Sequence, residues 1–137
     1  CNLSNVSLTQ TSFREVSFLN CKMIGLHFEN CMPFLFAVSF AKCQLNLSSF
    51  YKVNLKKTTF TNCELKEVDF TSANLAEAYL AECDCQLAVF DDTNLEKANL
   101  TTAYHYQIDP NKNKIKKAKF SLEGLAGLLL HHQIIIQ

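Results

Sequence analysis

Large apolar residues recur at every fifth position along most of the chain. The first run is Leu3, Leu8, Phe13, Phe18, Met23 and Phe28. The frame then shifts by two residues, and every fifth residue from Leu35 to Leu100 is Leu or Phe, except Cys85. A period of five scatters side chains around an α-helix and alternates faces in a continuous strand. The pattern therefore predicts short extended segments separated by a turn in every repeat.

Small residues accompany these apolar centres at a fixed spacing. In the second run, the residue two positions before each centre is small throughout, from Val38 to Ala98. Residues two apart on an extended segment share a face, so one small and one large side chain point inward together. All nineteen charged residues before Leu100 fall at the other three positions. Those three positions are predicted to face water or to form corners.

A second period of twenty residues gives the number of sides. Residues twenty apart are identical at several places: Cys43, Cys63 and Cys83; Phe50, Phe70 and Phe90; Asn54, Asn74 and Asn94. Four five-residue repeats therefore make one coil. Neighbouring coils are expected about 4.8 Å apart, so that side chains form ladders and each coil's backbone bonds to the next.

The repeat unit itself has a familiar form. Ala73-Asn74-Leu75-Ala76-Glu77 and Ala98-Asn99-Leu100-Thr101-Thr102 resemble the A(D/N)LXX unit of the pentapeptide-repeat family, and the resemblance covers about residues 1–102. It implies an all-β, right-handed quadrilateral β-helix. We expect this solenoid over residues 1–120, with a frame slip near 29–35 and an irregular stretch at 103–113. A C-terminal cap or dimerisation helix and tail are expected over residues 121–137.

The frame slip has two interpretations. Pro33 lies in it, and proline fits poorly in a hydrogen-bonded ladder. A ladder of Cys1, Cys21 and Cys43 continues if the two extra residues loop out. The slip is then either a tolerated corner irregularity or a recognition loop.

The C-terminal segment is predicted to close the open end of the solenoid. Ile115 and Phe120 return to the old frame, and Ser121 is a plausible N-cap for a helix over Leu122 to Leu129. The tail also resembles the C-terminal extension of the quinolone-resistance and gyrase-inhibitor branch, in which a helix makes a two-fold homodimer. Capping of a monomer is the alternative. The expected dimer contacts are Leu125, Leu128, Leu129, Ile134 and Ile136.

Candidate chemistry is sparse. Six of the seven cysteines, all but Cys31, occupy inward positions of the repeat, and Cys83-Asp84-Cys85 lacks the paired CxxC motifs and nearby histidine of a zinc site. We therefore predict buried inert thiols in a reducing, cytoplasmic compartment, with no metal and no cofactor. The histidines have no motif-linked nucleophile, and the three glycines form no phosphate loop. The chain is predicted not to be an enzyme; the alternative, an enzyme that uses its Cys or His residues, predicts a reactive thiol.

Charge indicates where a partner would bind. The formal net charge is zero, but residues 61–100 carry nine acidic and two basic side chains. The candidate partner-binding acidic face comprises Glu64, Asp69, Glu77, Glu82, Asp84, Asp91 and Asp92. The basic run over residues 112–119 has no interleaved aromatics, so direct nucleic-acid binding is not expected. No apolar run is long enough for a membrane span, and the start of the chain lacks the features of a signal peptide.

Two functions follow as hypotheses. The first is a non-enzymatic binding or scaffold protein whose outer faces bind another, unknown protein. The second is a DNA-mimicking modulator of DNA gyrase or topoisomerase IV, which the resemblance to the quinolone-resistance branch implies. This chain departs from that branch because it is neutral overall and has only a two-residue slip in place of long loops.

Overall fold

The computed structural model describes residues 1–33 and 36–129, which form a parallel β-helix of about five turns. One side is a six-stranded parallel sheet in the order β1 to β6. Its strands are β1 Val16–Leu19, β2 Val38–Ala41, β3 Thr59–Thr61, β4 Tyr79–Ala81, β5 Asn99–Leu100 and β6 Lys119–Phe120. Phe40 pairs with Phe60 and Leu100 with Phe120, so the strands repeat every twenty residues as predicted.

Isolated parallel bridges form the other three sides. Face 1 carries the bridged residues Lys22, Gln44, Glu64, Asp84 and Tyr104; face 2 carries His27, Ser49, Asp69 and Val89; face 3 carries Asn54, Asn74, Asn94 and Lys114. The six-stranded sheet is face 4. Each coil runs through faces 1 to 4 in order, which confirms the predicted four repeats per coil.

Each corner places a residue in the left-handed region of backbone space. Within residues 1–33 and 36–129, eighteen non-glycine residues have φ between 52° and 65°, and most occupy the last position of a five-residue unit. The Val53 amide donates to the Phe50 carbonyl across one such corner, at 3.0 Å. A left-handed residue costs about 1–2 kcal/mol. Coil-to-coil bonds offset that cost: the Lys57 amide, for example, donates to Ala76 of the next coil at 2.9 Å.

Two stacks of phenylalanine rings fill the middle of the column. Phe28, Phe50, Phe70 and Phe90 from face 2 stack with ring centroids 4.5–5.5 Å apart. Phe18, Phe40 and Phe60 from face 4 stack at 5.2–5.4 Å. The two stacks meet edge to face, as Phe50 and Phe60 do at 6.1 Å and 87°. Both geometries are favourable for aromatic quadrupoles.

Polar side chains of the repeat satisfy the backbone at the corners. The Asn74 Oδ1 accepts a hydrogen bond from the Ala76 amide at 3.1 Å, which explains the Asn or Asp before many centres. At the small inward position, the Thr93 hydroxyl donates to the Phe70 carbonyl of the preceding coil at 2.8 Å. The small position therefore also joins coils.

The frame slip is confined to one corner. Ser12 still pairs with Met32 at a spacing of twenty, whereas Val16 pairs with Val38 at twenty-two. The two extra residues therefore lie between Met32 and Val38. The Cys1–Cys21–Cys43 ladder continues past the slip, because the bridges Asn2–Lys22 and Lys22–Gln44 lie directly beside it.

The C-terminal segment covers the last coil, but its helix is shorter than predicted. The helix α1 spans Ala126–Leu129 instead of Leu122 to Leu129, and turns closed by i+3 hydrogen bonds precede it. The Ser121 hydroxyl accepts the Gly124 amide at 3.0 Å, in the manner of an N-cap. Within the described residues, no helix is long and apolar enough to cross a membrane.

Close packing on Tyr106 holds this segment in place. A Cβ on Gly127 would lie 2.1 Å from the Tyr106 carbonyl oxygen, and one on Gly124 would lie 1.8 Å from the Tyr106 hydroxyl. The Ile108 amide donates to the Gly127 carbonyl at 2.9 Å. A side chain at either position would clash with Tyr106. The two glycines disfavour a long helix, but they allow the capping segment to pack against Tyr106.

The cysteines line face 1 inside the column, apart from Cys31 and the exposed Cys1. The Cys83 thiol donates to the Phe60 carbonyl at 3.4 Å. The pKa of Cys83 is raised because its thiol shares a hydrogen bond with Cys63 and because burial disfavours the thiolate. Burial likewise raises the pKa of Cys85 to about 12, and burial followed by the charge of Glu29 raises that of Cys31 to about 11.

We expect a thiol reagent at pH 8 to modify only Cys1 rapidly in the folded protein. The remaining six thiols are buried, so a reagent reaches them slowly in the folded protein. For Cys31 and Cys85, with pKa values of about 11 and about 12, the reactive thiolate is in addition on the order of one part in a thousand or less. Mass spectrometry after labelling should find one modified cysteine in the native protein and all seven after denaturation. Rapid native labelling of a second cysteine would contradict this packing.

Candidate protein-binding surface

The fold brings five of the seven predicted acidic residues into one sector. Glu64 and Asp84 are neighbours in the ladder of face 1, and Asp69 lies in the ladder of face 2. Asp91 and Asp92 are exposed at the corner between faces 2 and 3. Glu77 lies at the corner between faces 3 and 4, and Glu82 at the corner between faces 4 and 1. The seven residues therefore do not share one face.

Asp84 is paired with Lys66 and His105. Its Oδ1 lies 2.9 Å from His105 Nδ1, and its Oδ2 lies 3.8 Å from Lys66 Nζ. Its side chain is only 13% exposed, and Oδ1 also accepts the Gln86 amide. Asp84 therefore orients the His105 ring and, through the Gln86 amide, the corner that follows Asp84 in the chain. Its carboxylate presents little surface to a partner.

Two apolar side chains project from the acidic sector. Leu87 is 61% exposed at the corner between faces 1 and 2, and Val89 is 46% exposed on face 2. Val89 pairs with Asp69 of the preceding coil, while Asp91 and Asp92 follow it in the chain. We call these five residues the Leu87 patch. An apolar centre with a charged rim is the usual anatomy of a protein–protein interface.

Grooves border the patch on both sides. A cavity of about 270 Å³ is lined by Leu87, Val89, Asp91, Gln107 and Lys112, among others. A second, of about 400 Å³, lies between Leu87 and the capping segment and also borders Gln107. Both grooves are lined by Leu87, so a partner that contacts the Leu87 side chain has a groove for its own side chains on either flank.

The remaining polar clusters lack the geometry of common catalytic sites. In the part of the chain that the structure describes, no group of three His, Cys, Asp or Glu side chains is placed to hold a metal ion. Glu29 lies between His27 and Ser49: His27 Nδ1 is 2.9 Å from one carboxylate oxygen, and the Ser49 hydroxyl donates to the other. In a nucleophilic triad the histidine, and not the carboxylate, contacts the hydroxyl.

The predicted dimer contacts divide into different environments. Leu128 is buried against the core of its own chain, and Leu129 is half-buried. Leu125 is 39% exposed, next to a largely exposed Leu122. Ile134 and Ile136 lie outside the described residues. The burial of Leu128 supports the capping interpretation for that residue and leaves Leu125 as the accessible predicted contact.

The sequence prediction missed Leu87 and Val89. Both occupy outward positions of the repeat, where the chain otherwise carries mainly polar or small residues. Leu87 moreover takes the left-handed corner position, with φ of 59°, which favours glycine or asparagine over leucine. The sequence feature that could have identified them is a large apolar residue at a repeat position that faces water.

Sequence profiles of known families match nearly the whole chain. The profile described as a pentapeptide repeat region matches residues 34–120, and that of pentapeptide repeats in eight copies matches residues 1–32. The chain belongs to the pentapeptide-repeat family. None of the curated proteins matches it significantly in sequence.

A comparison with solved structures finds one close fold match and two weaker matches. Trypsin-treated QnrB1, a plasmid-mediated fluoroquinolone resistance protein, matches with a TM-score of 0.83 and 16% identity, over 100% of this chain and 66% of QnrB1. This chain thus spans slightly less than two thirds of that relative. HetL, from the cyanobacterium Nostoc and involved in heterocyst differentiation regulation, is 16% identical over 90% of this chain and 60% of its own, with a TM-score of 0.37. Rfr23, from the cyanobacterium Cyanothece, is 18% identical over 77% and 88%, with a TM-score of 0.33.

Proposed function

We propose that this pentapeptide-repeat protein is a non-enzymatic scaffold that binds another protein through the Leu87 patch. The observation that supports the proposal is the exposure of Leu87 and Val89 within a rim of carboxylates. The expected partner presents an apolar contact surrounded by basic residues.

The position of Leu87 favours a binding role over a folding role. The side chain is 61% exposed, so it adds little to the core, and its positive φ makes leucine a costly choice there. Folding alone would favour asparagine or glycine at this corner. A residue that lowers the stability of the fold and is accessible from solvent is consistent with selection for contact with another molecule.

We expect Leu87→Asn to weaken partner binding by about ten-fold or more while leaving the free energy of unfolding unchanged or slightly higher. The change removes the apolar ridge and relieves the left-handed strain. The partner is first identified by affinity capture from native cells, then purified, and its affinity for each variant is measured by calorimetry.

Leu47→Asn is the matched control for this experiment. Leu47 occupies the same corner two coils away, with φ of 65° and 56% exposure, but lies outside the Leu87 patch. Its substitution should relieve the same strain and leave binding intact. Equal affinity of the two variants for every purified partner would contradict the assignment of the patch.

A second candidate partner is a type II topoisomerase. The observation that favours it is the fold likeness to QnrB1 over the whole of this chain, combined with the acidic sector on faces 1 and 2. A DNA mimic needs exposed carboxylates that replace phosphates. Asp91 and Asp92 are exposed and meet this requirement better than Asp84, whose side chain is only 13% exposed and is paired with Lys66 and His105.

For this candidate, we expect the wild-type protein to alter gyrase supercoiling or its sensitivity to a fluoroquinolone at micromolar concentration. Replacing both Asp91 and Asp92 by lysine should abolish the effect because it reverses the exposed charge. Asp84→Asn should preserve the effect, and Glu77→Lys is the control on the opposite side of the column. The candidate fails if the wild-type protein changes neither supercoiling nor drug sensitivity.

We further propose that two chains associate through the capping segment around Leu125. Light scattering should then give a mass twice the 15.5 kDa of one chain, and Leu125→Glu should halve it by placing a charge in the contact. Leu128→Ala should instead lower the free energy of unfolding by about 2–5 kcal/mol, because it opens a cavity in the core. A wild-type mass of one chain would make the segment a cap only.

A further inference from the structure

The two sides of the column carry opposite charge. Faces 3 and 4 and the corner between them hold eight Lys or Arg and three Glu, whereas the rest of the column holds five Lys and nine Asp or Glu. On the positive side, the lysines are most densely placed on the last two coils. Exposed there are Lys97, Lys114, Lys116, Lys117 and Lys119. None of the four ion pairs found among the described residues includes any of these five lysines.

The coils bring these lysines together although they are spread along the chain. The Lys97 amide donates to the Lys116 carbonyl at 3.0 Å, so the corner residues of the two coils are stacked. Lys114 pairs with Asn94 on face 3, and Lys119 pairs with Asn99 on face 4. The cations thus surround one corner and both of its flanks.

An exposed aromatic ring lies in the same surface. Tyr79 projects outward from β4, is 42% exposed, and pairs with Asn99, which in turn pairs with Lys119. Two coils, or about 10 Å, therefore separate Tyr79 from Lys119. Its partners across the sheet are Thr59 and Asn99, and Ala81 is the next residue on the same face of β4, so the side chains at these positions leave the ring exposed.

We propose that this surface, formed by Tyr79 and the five lysines, binds single-stranded nucleic acid. Lysines hold the phosphates, and the tyrosine ring offers a platform on which a base stacks, which is how sequence-independent single-strand sites are built. Tyr79 lies forty residues before Lys119 in the sequence, so the basic run over residues 112–119 does not itself contain the aromatic residue of this surface.

The ring distinguishes this ligand from an acidic protein segment. Carboxylates on a peptide need only the lysines, whereas a nucleic acid strand also presents a flat base to every platform it passes. A duplex hides its bases inside the stack and gains nothing from Tyr79.

The test uses a fluorescein-labelled dT20 oligonucleotide and fluorescence polarisation at low salt. The wild-type protein should bind dT20, and Tyr79→Ser should weaken binding on the order of ten-fold. Tyr79→Phe keeps the ring and should bind like wild type, which separates stacking from folding. Lys117→Gln and Lys119→Gln should each lower the slope of log affinity against log salt by about 0.7.

Matched controls come from the opposite side. Tyr51 is 40% exposed with Lys52 Nζ 5.2 Å from its ring centroid, so Tyr51→Ser and Lys52→Gln remove the same residue types elsewhere. Both should leave dT20 binding unchanged, as should Leu87→Asn. The proposal is overturned if wild type does not bind dT20 at tens of micromolar, if the control variants weaken binding equally, or if polyglutamate of equal charge displaces dT20 as well as unlabelled dT20 does.

Discussion

Backbone hydrogen bonding between parallel coils, twenty residues apart, is the constraint on which the rest of the structure depends. Most strands are only two to four residues long, so no strand is stable alone. Most backbone amides instead donate to a carbonyl in a neighbouring coil, and the corner amides bond within their own coil. Every side chain must then repeat its direction coil after coil. The ordered core, the left-handed corners and the outward charges all follow from that repetition.

The same constraint determines how a binding surface arises in this fold. Outward side chains do not affect the core, so a single replacement such as leucine at position 87 creates a ridge without disturbing the coil. Neighbours in a surface come from positions about twenty residues apart, and only rarely from adjacent positions. Asp69 beside Val89, and Asn99 between Tyr79 and Lys119, are examples.

The sequence predicted the repeating architecture because each inward position is specified many times over. The register of twenty, the shift near Pro33 and the buried thiols followed from residue spacing alone. A short C-terminal helix was predicted, but its start at Ala126 and the contact of Gly124 and Gly127 with Tyr106 were not, since they depend on side-chain packing that the repeat does not specify. The acidic residues were identified individually, but their division between sides depends on which corner each residue occupies. For the same reason, the pairing of Asp84 with Lys66 and His105 was missed.

The distribution of charge around the column also gives the molecule a strong electric dipole across its axis, although its net charge is zero. The pI near 7 therefore describes its surface poorly. In the field of a large charged body, such a rod turns about its long axis before contact, so it approaches with a defined side forward. Orientation is then fixed during diffusion, and a partner of either sign meets the complementary side first.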